Sequence, residues 1–223
     1  MDIKTETVLL SSVLRSISIR LLARFRAWRY PGSIRYWEQR YARGGHSGAG
    51  SSGRLAAYKA TWLNSFVQEK NVQTVVEFGC GDGRQLQLAN YPDYLGLDVA
   101  PTAVRRCQAL FKPEPNKRFQ VYDPYDFDPT TTRAELGLSV EVLFHLTEDA
   151  LYQRYLEHLF GAATRWVVIF APDEPDRTGG QFPHLRPRPF TRDIPAGWIL
   201  RRRDTNPHRD ISMSDFFVFE KNQ

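Results

Sequence analysis

The chain has 223 residues, of which 42% are hydrophobic, with a net charge of +5 and two cysteines, Cys80 and Cys107. This length predicts one domain with a full core plus an extension, and two cysteines are too few for a disulfide framework and fit a reducing cytoplasm. No run of 18 uncharged apolar residues occurs, so a membrane-spanning helix is not expected.

The basic charge is concentrated in two segments. Residues 1–43 have a net charge of +6 and residues 184–209 of +5, whereas residues 44–183 have a net charge of −4. A uniformly basic nucleic-acid-binding face is therefore not predicted.

Residues 8–29 predict an amphipathic helix. Its apolar stripe consists of Leu10, Leu14, Ile17, Leu21, Phe25 and Trp28. The stripe favours packing on the domain or on a second subunit, and the alternative is a helix lying on an anionic membrane surface. We divide the chain into a basic helical arm, residues 1–43, and a globular domain, residues 44–223.

An aromatic and glycine-rich stretch follows the predicted helix. Trp37 and Tyr41 precede five glycines between residues 44 and 53. Aromatic side chains next to a flexible loop favour a lid over a ligand, and the alternative is a plain linker.

From residue 53 onward, strand and helix patterns alternate. Predicted helices cover 53–69, 83–90, 101–111 and 147–160, with Thr147 as the cap of the last one. Predicted strands cover 73–78, 94–98, 118–122, 136–142, 166–170, 198–202 and 215–220. Repeated strand–helix units predict an α/β fold with a parallel sheet and helices on both faces.

The most informative motif is Val-Val-Glu-Phe-Gly-Cys-Gly-Asp-Gly at residues 75–83. Glycines at alternate positions after a strand let a ligand approach the backbone, and Asp98 ends the next predicted strand. This pattern fits an adenosine-containing ligand at the carboxyl edge of the sheet. The spacing does not match the dinucleotide template G-x-G-x-x-G, and Glu77 would repel a pyrophosphate but suit a cationic amino group.

These residues resemble motif I of the class I S-adenosylmethionine (SAM) methyltransferases, with Asp98 at the position of the ribose-binding acid. The resemblance implies a Rossmann-like, doubly wound, mostly parallel seven-stranded sheet with an antiparallel last strand, and SAM as the cofactor. It implies that Glu77 orients the loop amides and the amino group of SAM. The implied cofactor-binding residues are Glu77, Gly79, Cys80, Gly81, Asp82, Gly83, Asp98, Val99, Asp123 and Pro124.

Asp123 matches the family position that bonds the adenine amine. The following residue often contributes its backbone N–H in this family, and Pro124 has none. The alternative for Asp123 is a simple turn residue before proline.

The acceptor side is predicted after the fourth strand, where residues 139–149 read Ser-Val-Glu-Val-Leu-Phe-His-Leu-Thr-Glu-Asp. Many class I methyltransferases have a similar segment there. Glu141 and His145 are the candidate catalytic residues, since either could take a proton from a hydroxyl. Alternatively, His145 braces a helix against the sheet and Glu141 binds a substrate hydroxyl without taking its proton.

The loop after the fifth predicted strand contains His184, Arg186 and Arg188. Arginine forks bind phosphates or carboxylates, so this loop is a candidate substrate clamp; the alternative is a proline-stiffened surface loop. Trp37 and Tyr41 are further candidate substrate-binding residues, and no metal site is predicted.

Together, these segments resemble a subgroup of methyltransferases associated with bacterial glycan gene clusters. That resemblance implies O-methylation of a sugar hydroxyl or a related polar acceptor, by a cytoplasmic protein that residues 8–29 could hold at the inner membrane face. One alternative is an RNA or other macromolecule methyltransferase, although no Asn-Pro-Pro-Tyr or Asp-Pro-Pro-Tyr motif follows the fourth strand and nucleic acid is not the expected partner. The other is a non-catalytic scaffold subunit, and a homodimer remains open.

Overall fold

The computed structural model describes residues 30–176 and 182–222, so the predicted helix at residues 8–29 lies outside the described residues. Four helices are present in the described part: α1 (Ser33–Ala42), α2 (Gly53–Glu69), α3 (Pro101–Leu110) and α4 (Asp149–Ala162). The strands are β1 (Thr74–Phe78), β2 (Asp93–Asp98), β3 (Lys117–Val121), β4 (Ala134–Val140), β5 (Ala163–Ala171), β6 (Trp198–Asp204) and β7 (Asp215–Lys221). None of the described helices is long and apolar enough to cross a membrane.

The seven strands form one sheet in the order β3-β2-β1-β4-β5-β7-β6. Strands β1 to β5 run parallel, and β7 is antiparallel to both β5 and β6. The predicted Rossmann-like sheet with an antiparallel last strand is therefore confirmed. The central strands β1, β4 and β5 are apolar and buried along most of their length, as expected where helices cover both faces of a parallel sheet.

Two buried clusters lie on opposite faces of the sheet. One contains side chains of α2 and α3, including Leu63, Phe66 and Val104. The other contains α4 side chains such as Tyr155 and Leu159. The strands alternate between the clusters, because successive side chains of a strand point to opposite faces. Both faces of the sheet are therefore covered by buried side chains.

The predicted helix at residues 83–90 is wrong, because only one helical turn forms, at Leu86–Leu88. The N–H of Gln87 bonds to the carbonyl of Gly83, but the next two bonds span only three residues. The N–H of Asn90 then bonds to Oδ1 of Asn64 on α2, which ends the turn.

The predicted cap of α4 also differs. Glu148, not Thr147, is the N-cap residue of α4. The Glu148 carboxylate accepts hydrogen bonds from the N–H and the hydroxyl of Ser33, at 2.8 and 2.6 Å. The start of α4 is thereby joined to α1, a helix that the sequence patterns did not separate from the arm.

Candidate active site

A cleft of about 870 Å³, counting its open mouth, lies at the carboxyl edge of the parallel strands. The turns after β1, β2 and β4 form its floor, and residues of α1 and α2 line its walls. The cleft brings together many of the residues predicted from the sequence: Trp37, Tyr41, Glu77, Gly79, Cys80, Asp98, Val99, Glu141 and His145.

The glycine motif forms a tight turn that is tied to β2. Gly79 and Gly81 have φ angles of 82° and 60°, in the left-handed region that favours glycine. The backbone N–H groups of Gly79 and Cys80 both donate to the carbonyl of Leu97, at 2.7 and 3.0 Å. A Cβ at either glycine would collide with a neighbouring side chain, so this tight turn requires glycine at both positions.

Asp98 is the residue that orients the turn. Its carboxylate accepts hydrogen bonds from the N–H of Gly81 at 2.9 Å and of Ala100 at 2.8 Å. Burial raises the pKa of Asp98 to about 6, although these two bonds oppose the shift. The expectation that Glu77 orients the loop amides thus differs from the structure, in which Asp98 does so.

Glu77 lies at the end of β1 and is only 6% exposed. Its carboxylate accepts a hydrogen bond of 2.5 Å from the hydroxyl of Tyr94. Burial raises the pKa of Glu77 to about 7, while the Tyr94 bond and the charge of Lys59 act against burial. A buried carboxylate of this kind is stabilised in its ionised form when a cation binds beside it.

His145 also lines the cleft and lies in a short helical turn after β4. Its Nδ1 is 3.1 Å from the carbonyl oxygen of His184, and because a carbonyl only accepts, Nδ1 carries the proton. This tautomer leaves Nε2 with a free lone pair. Burial lowers the pKa of His145 to about 4, so the ring is neutral at physiological pH. The Trp37 ring packs edge-on against it at 4.8 Å.

Glu141 has a φ angle of 59°, which is unusual for a residue other than glycine. Its carboxylate is 2.8 Å from the ammonium of Lys59 and accepts a hydrogen bond from Ser212 at 3.1 Å. It is therefore an anchored carboxylate rather than an isolated base. Lys59 lines the cleft and was missed from the sequence; its one signal is its position beside Ala60 and Leu63 on the apolar face of α2.

The glycine-rich segment, residues 44–52, lies next to the glycine motif. The Ser47 hydroxyl donates to Asp82 at 2.7 Å, and the N–H of Asp82 donates back to it at 3.1 Å. The Tyr41 hydroxyl lies 3.1 Å from the same Ser47 oxygen. Asp82 therefore holds this segment next to the cleft, which is compatible with the predicted lid.

The predicted arginine clamp does not reach the cleft. Arg186 and Arg188 donate to the carbonyl of Thr147, at 2.7 and 3.1 Å. Both also pair with Asp149 at the start of α4, at 2.9 and 3.0 Å. The His184 ring stacks on Tyr36 at 4.9 Å and lies parallel to the His145 ring at 6.0 Å, and its backbone carbonyl bonds to His145. These contacts give the two arginines a role within the fold.

Asp123 and Pro124 also lie apart from the cleft lining. Asp123 is exposed, and its carboxylate accepts a hydrogen bond from the N–H of Tyr125 at 2.9 Å. This hydrogen bond is typical of a turn residue, which is the alternative prediction for Asp123. Tyr122, the residue before it, does line the cleft. Within residues 30–176 and 182–222, no group of three His, Cys, Asp or Glu side chains is arranged to hold a metal ion.

Comparisons with known proteins agree with this fold. No family model matches the chain. The small RNA 2'-O-methyltransferase of Arabidopsis thaliana is 28% identical over 108 residues, which is 43% of this chain and 12% of the plant protein's length.

Two solved structures have the same fold. The N-methyltransferase NodS of Bradyrhizobium japonicum WM9, in complex with S-adenosyl-L-homocysteine, has a TM-score of 0.67 at 15% identity, covering 86% of this chain and all of that one. The magnesium protoporphyrin IX methyltransferase of Synechocystis PCC 6803, with the same molecule bound, has a TM-score of 0.57 at 18% identity, covering 76% of this chain and 85% of that one. At such identities the likeness shows the fold, and the chemistry must be argued from the cleft.

Proposed function

We propose that this chain is a SAM-dependent methyltransferase whose cofactor occupies the cleft at the carboxyl edge of the sheet. The observation that carries the proposal is the pair of buried carboxylates, Glu77 and Asp98, on either side of a glycine turn. Burial raises the pKa of both carboxyl groups, so a ligand that brings positive charge and hydroxyl donors would stabilise their ionised forms. SAM carries both, as a sulfonium, an ammonium and two ribose hydroxyls.

In this proposal, different residues of the cleft bind different parts of the cofactor. Asp98 would accept hydrogen bonds from the ribose hydroxyls, and Glu77 would face the ammonium. Gly79 and Gly81 would let the amino-acid part approach the backbone. When bound, SAM supplies an electrophilic methyl group, and the protein's part is to align an acceptor with it.

His145 is proposed to take the proton of a hydroxyl acceptor. Its Nε2 has a free lone pair, because Nδ1 is committed to the carbonyl of His184. With its pKa near 4 the ring is a weak base, but it is unprotonated throughout the physiological range. Such a base suits a reaction in which the hydroxyl becomes acidic only as the new bond to carbon forms. His145→Ala should lower turnover while leaving SAM affinity unchanged.

For the acceptor, we propose a sugar hydroxyl or a related polar group, as in glycan biosynthesis. Trp37 and His145 form an aromatic wall of the cleft, and Glu141 adds an acceptor for a second hydroxyl. A membrane-surface role for residues 8–29 belongs to this proposal as well, whereas the globular domain would begin before α1, whose residues line the cleft, and not at residue 44.

RNA is the second candidate acceptor. It is favoured by the likeness to the plant small RNA 2'-O-methyltransferase, whose named reaction also methylates a ribose hydroxyl. Both candidates therefore share one chemistry, and they differ in the molecule that presents the hydroxyl.

Transfer of labelled methyl from SAM distinguishes the candidates. The full chain is incubated with a glycan-lipid fraction and, separately, with an RNA fraction, and Asp98→Ala serves as the control. Label in the glycan-lipid fraction alone supports the first candidate, and label in RNA supports the second. Binding of SAM without transfer to any fraction would favour a non-catalytic scaffold subunit.

A further inference from the structure

Lys59 is a buried cation that lines the cleft. Its side chain is 1% exposed and extends from α2. It is the only lysine or arginine among the described residues that line the cleft. A buried ammonium is costly unless it is paired, so its partners indicate its role.

The first partner, Glu141, belongs to the acceptor side. The Lys59 ammonium lies 2.8 Å from Oε2 of Glu141, while Ser212 donates to Oε1 at 3.1 Å. The backbone of Gly50 packs against the same carboxylate, and a Cβ at residue 50 would collide with it. Glu141 is thus fixed from three directions: α2, the glycine-rich segment and the loop before β7.

The second carboxylate, Glu77, belongs to the cofactor side and bonds to Tyr94 rather than directly to Lys59. Glu77 lines the same cleft, and the Lys59 charge favours its ionised form against the effect of burial. One ammonium therefore acts on two carboxylates that face different ligands. A buried ion pair of this kind adds little net stability, so we look for the role of Lys59 in the site rather than in the stability of the fold.

We propose that Lys59 is a positioning residue that links the two halves of the site: it holds the Glu141 carboxylate for the acceptor, and it lines the same cleft as Glu77, which faces the ammonium of the cofactor. This inference rests on the proposed function, because it assumes that SAM binds beside Glu77. It predicts that the pH dependence of SAM binding responds to both Lys59 and Glu141.

Other groups near Glu77 must be separated from this effect. The titratable and charged groups that face Glu77 are Lys59 of α2, Tyr91 and Tyr94 before and in β2, Cys80 and Asp98 in the turns, and Tyr155 of α4. Burial raises the pKa of each of these tyrosines, and the hydrogen bond with Cys107 together with burial raises the pKa of the Cys80 thiol. Burial also raises the pKa of Asp98, to about 6. The change in midpoint between wild type and variants, rather than the midpoint itself, therefore reports the effect of Lys59 and Glu141.

The experiment is a calorimetric titration of the full chain with SAM between pH 5.5 and 9. In Lys59→Met, Glu77 loses a favourable charge, and the midpoint should move upward by about one pH unit. In Glu141→Gln, the ammonium is no longer shared with a second carboxylate, and the midpoint should move downward. Lys70→Met is the matched control: Lys70 is at the far end of α2, over the Trp166 ring, and its midpoint should stay at the wild-type value.

Shifts in opposite directions support the inference, because a merely structural role would weaken binding without moving the midpoint both ways. Should Lys59→Met fail to fold, the double variant Lys59→Met/Glu141→Gln removes both charges together, and in it the downward shift should disappear. If the wild type binds SAM but the Glu141→Gln midpoint stays at the wild-type value, or the double variant shows the same downward shift as Glu141→Gln, the inference is overturned and the proposed function stands. If the wild type does not bind SAM at all, the proposed function fails and this inference fails with it.

Discussion

Replacing Glu77 by glutamine should make the ligand-free protein more stable while weakening its affinity for SAM. Burial raises the pKa of Glu77 from 4.5 to about 7, so ionising this carboxyl group in the folded protein costs about 3 kcal/mol. An acid with a raised pKa contributes stability that is complete below its unfolded pKa and is lost as the pH rises through its folded pKa. The loss therefore develops between about pH 4.5 and pH 7 and is complete above that range.

Glutamine has nearly the same shape and avoids this cost. Its side-chain oxygen can still accept the bond from Tyr94, but its NH₂ group needs an acceptor of its own, which reduces the gain. We expect Glu77→Gln to raise the free energy of unfolding at pH 8 by roughly 1–3 kcal/mol, or the melting temperature by about 2–4 °C for each kcal/mol.

The assay is chemical denaturation of the wild type and Glu77→Gln at several pH values from 5 to 8, without and with SAM. The advantage of the variant should grow with pH and level off near pH 8. Saturating SAM should reverse the order, because only the ionised carboxylate compensates the ammonium. If the ligand-free variant is no more stable than the wild type at pH 8, or if the difference does not depend on pH, the account of Glu77 as a desolvated cation site is refuted.

Two further predictions concern the glycine-rich segment. Ser47→Ala removes the 2.7 Å bond to Asp82 and should increase the SAM dissociation rate about tenfold, as measured by stopped-flow Trp fluorescence. The control Ser65→Ala, at an exposed position of α2 outside this segment, should leave the rate unchanged. Equal dissociation rates in both variants would contradict a lid that is closed by Ser47. Gly50→Ala places a Cβ against the Glu141 carboxylate and should lower the free energy of unfolding by roughly 1–3 kcal/mol. An unchanged free energy of unfolding would show that the glycine-rich segment can move away from Glu141 without cost.

The parts of the structure that were predictable from sequence are those with local signals. The order of strands and helices follows from hydrophobic patterns and from helix-start signals such as Pro101, and the observed sheet agrees. The glycine turn and Asp98 could be placed because a strand end, a glycine spacing and a second acid occur in sequence order. Parallel strands then bring these residues to one edge without any further information.

The remaining features depend on contacts between distant segments. No local sequence pattern shows that Lys59 pairs with Glu141, 82 residues away. Nor does one show that Glu148, at the start of α4, bonds to Ser33 of α1. Arg186 and Arg188 are the residue type expected for binding an anion, but both are already paired with Asp149 and bonded to the carbonyl of Thr147. In each case the side chain's role is set by a partner that only the fold identifies.

Calorimetric titration of the full chain with SAM at pH 8 tests the central claim most directly. We predict one-to-one binding of SAM to the wild type. Binding to Asp98→Ala should be at least about tenfold weaker, because hydrogen bonds to a charged group are lost. NAD should not bind, because Glu77 would repel its pyrophosphate. Absence of SAM binding, or the same affinity in Asp98→Ala as in the wild type, would contradict the assignment of this cleft as a SAM site.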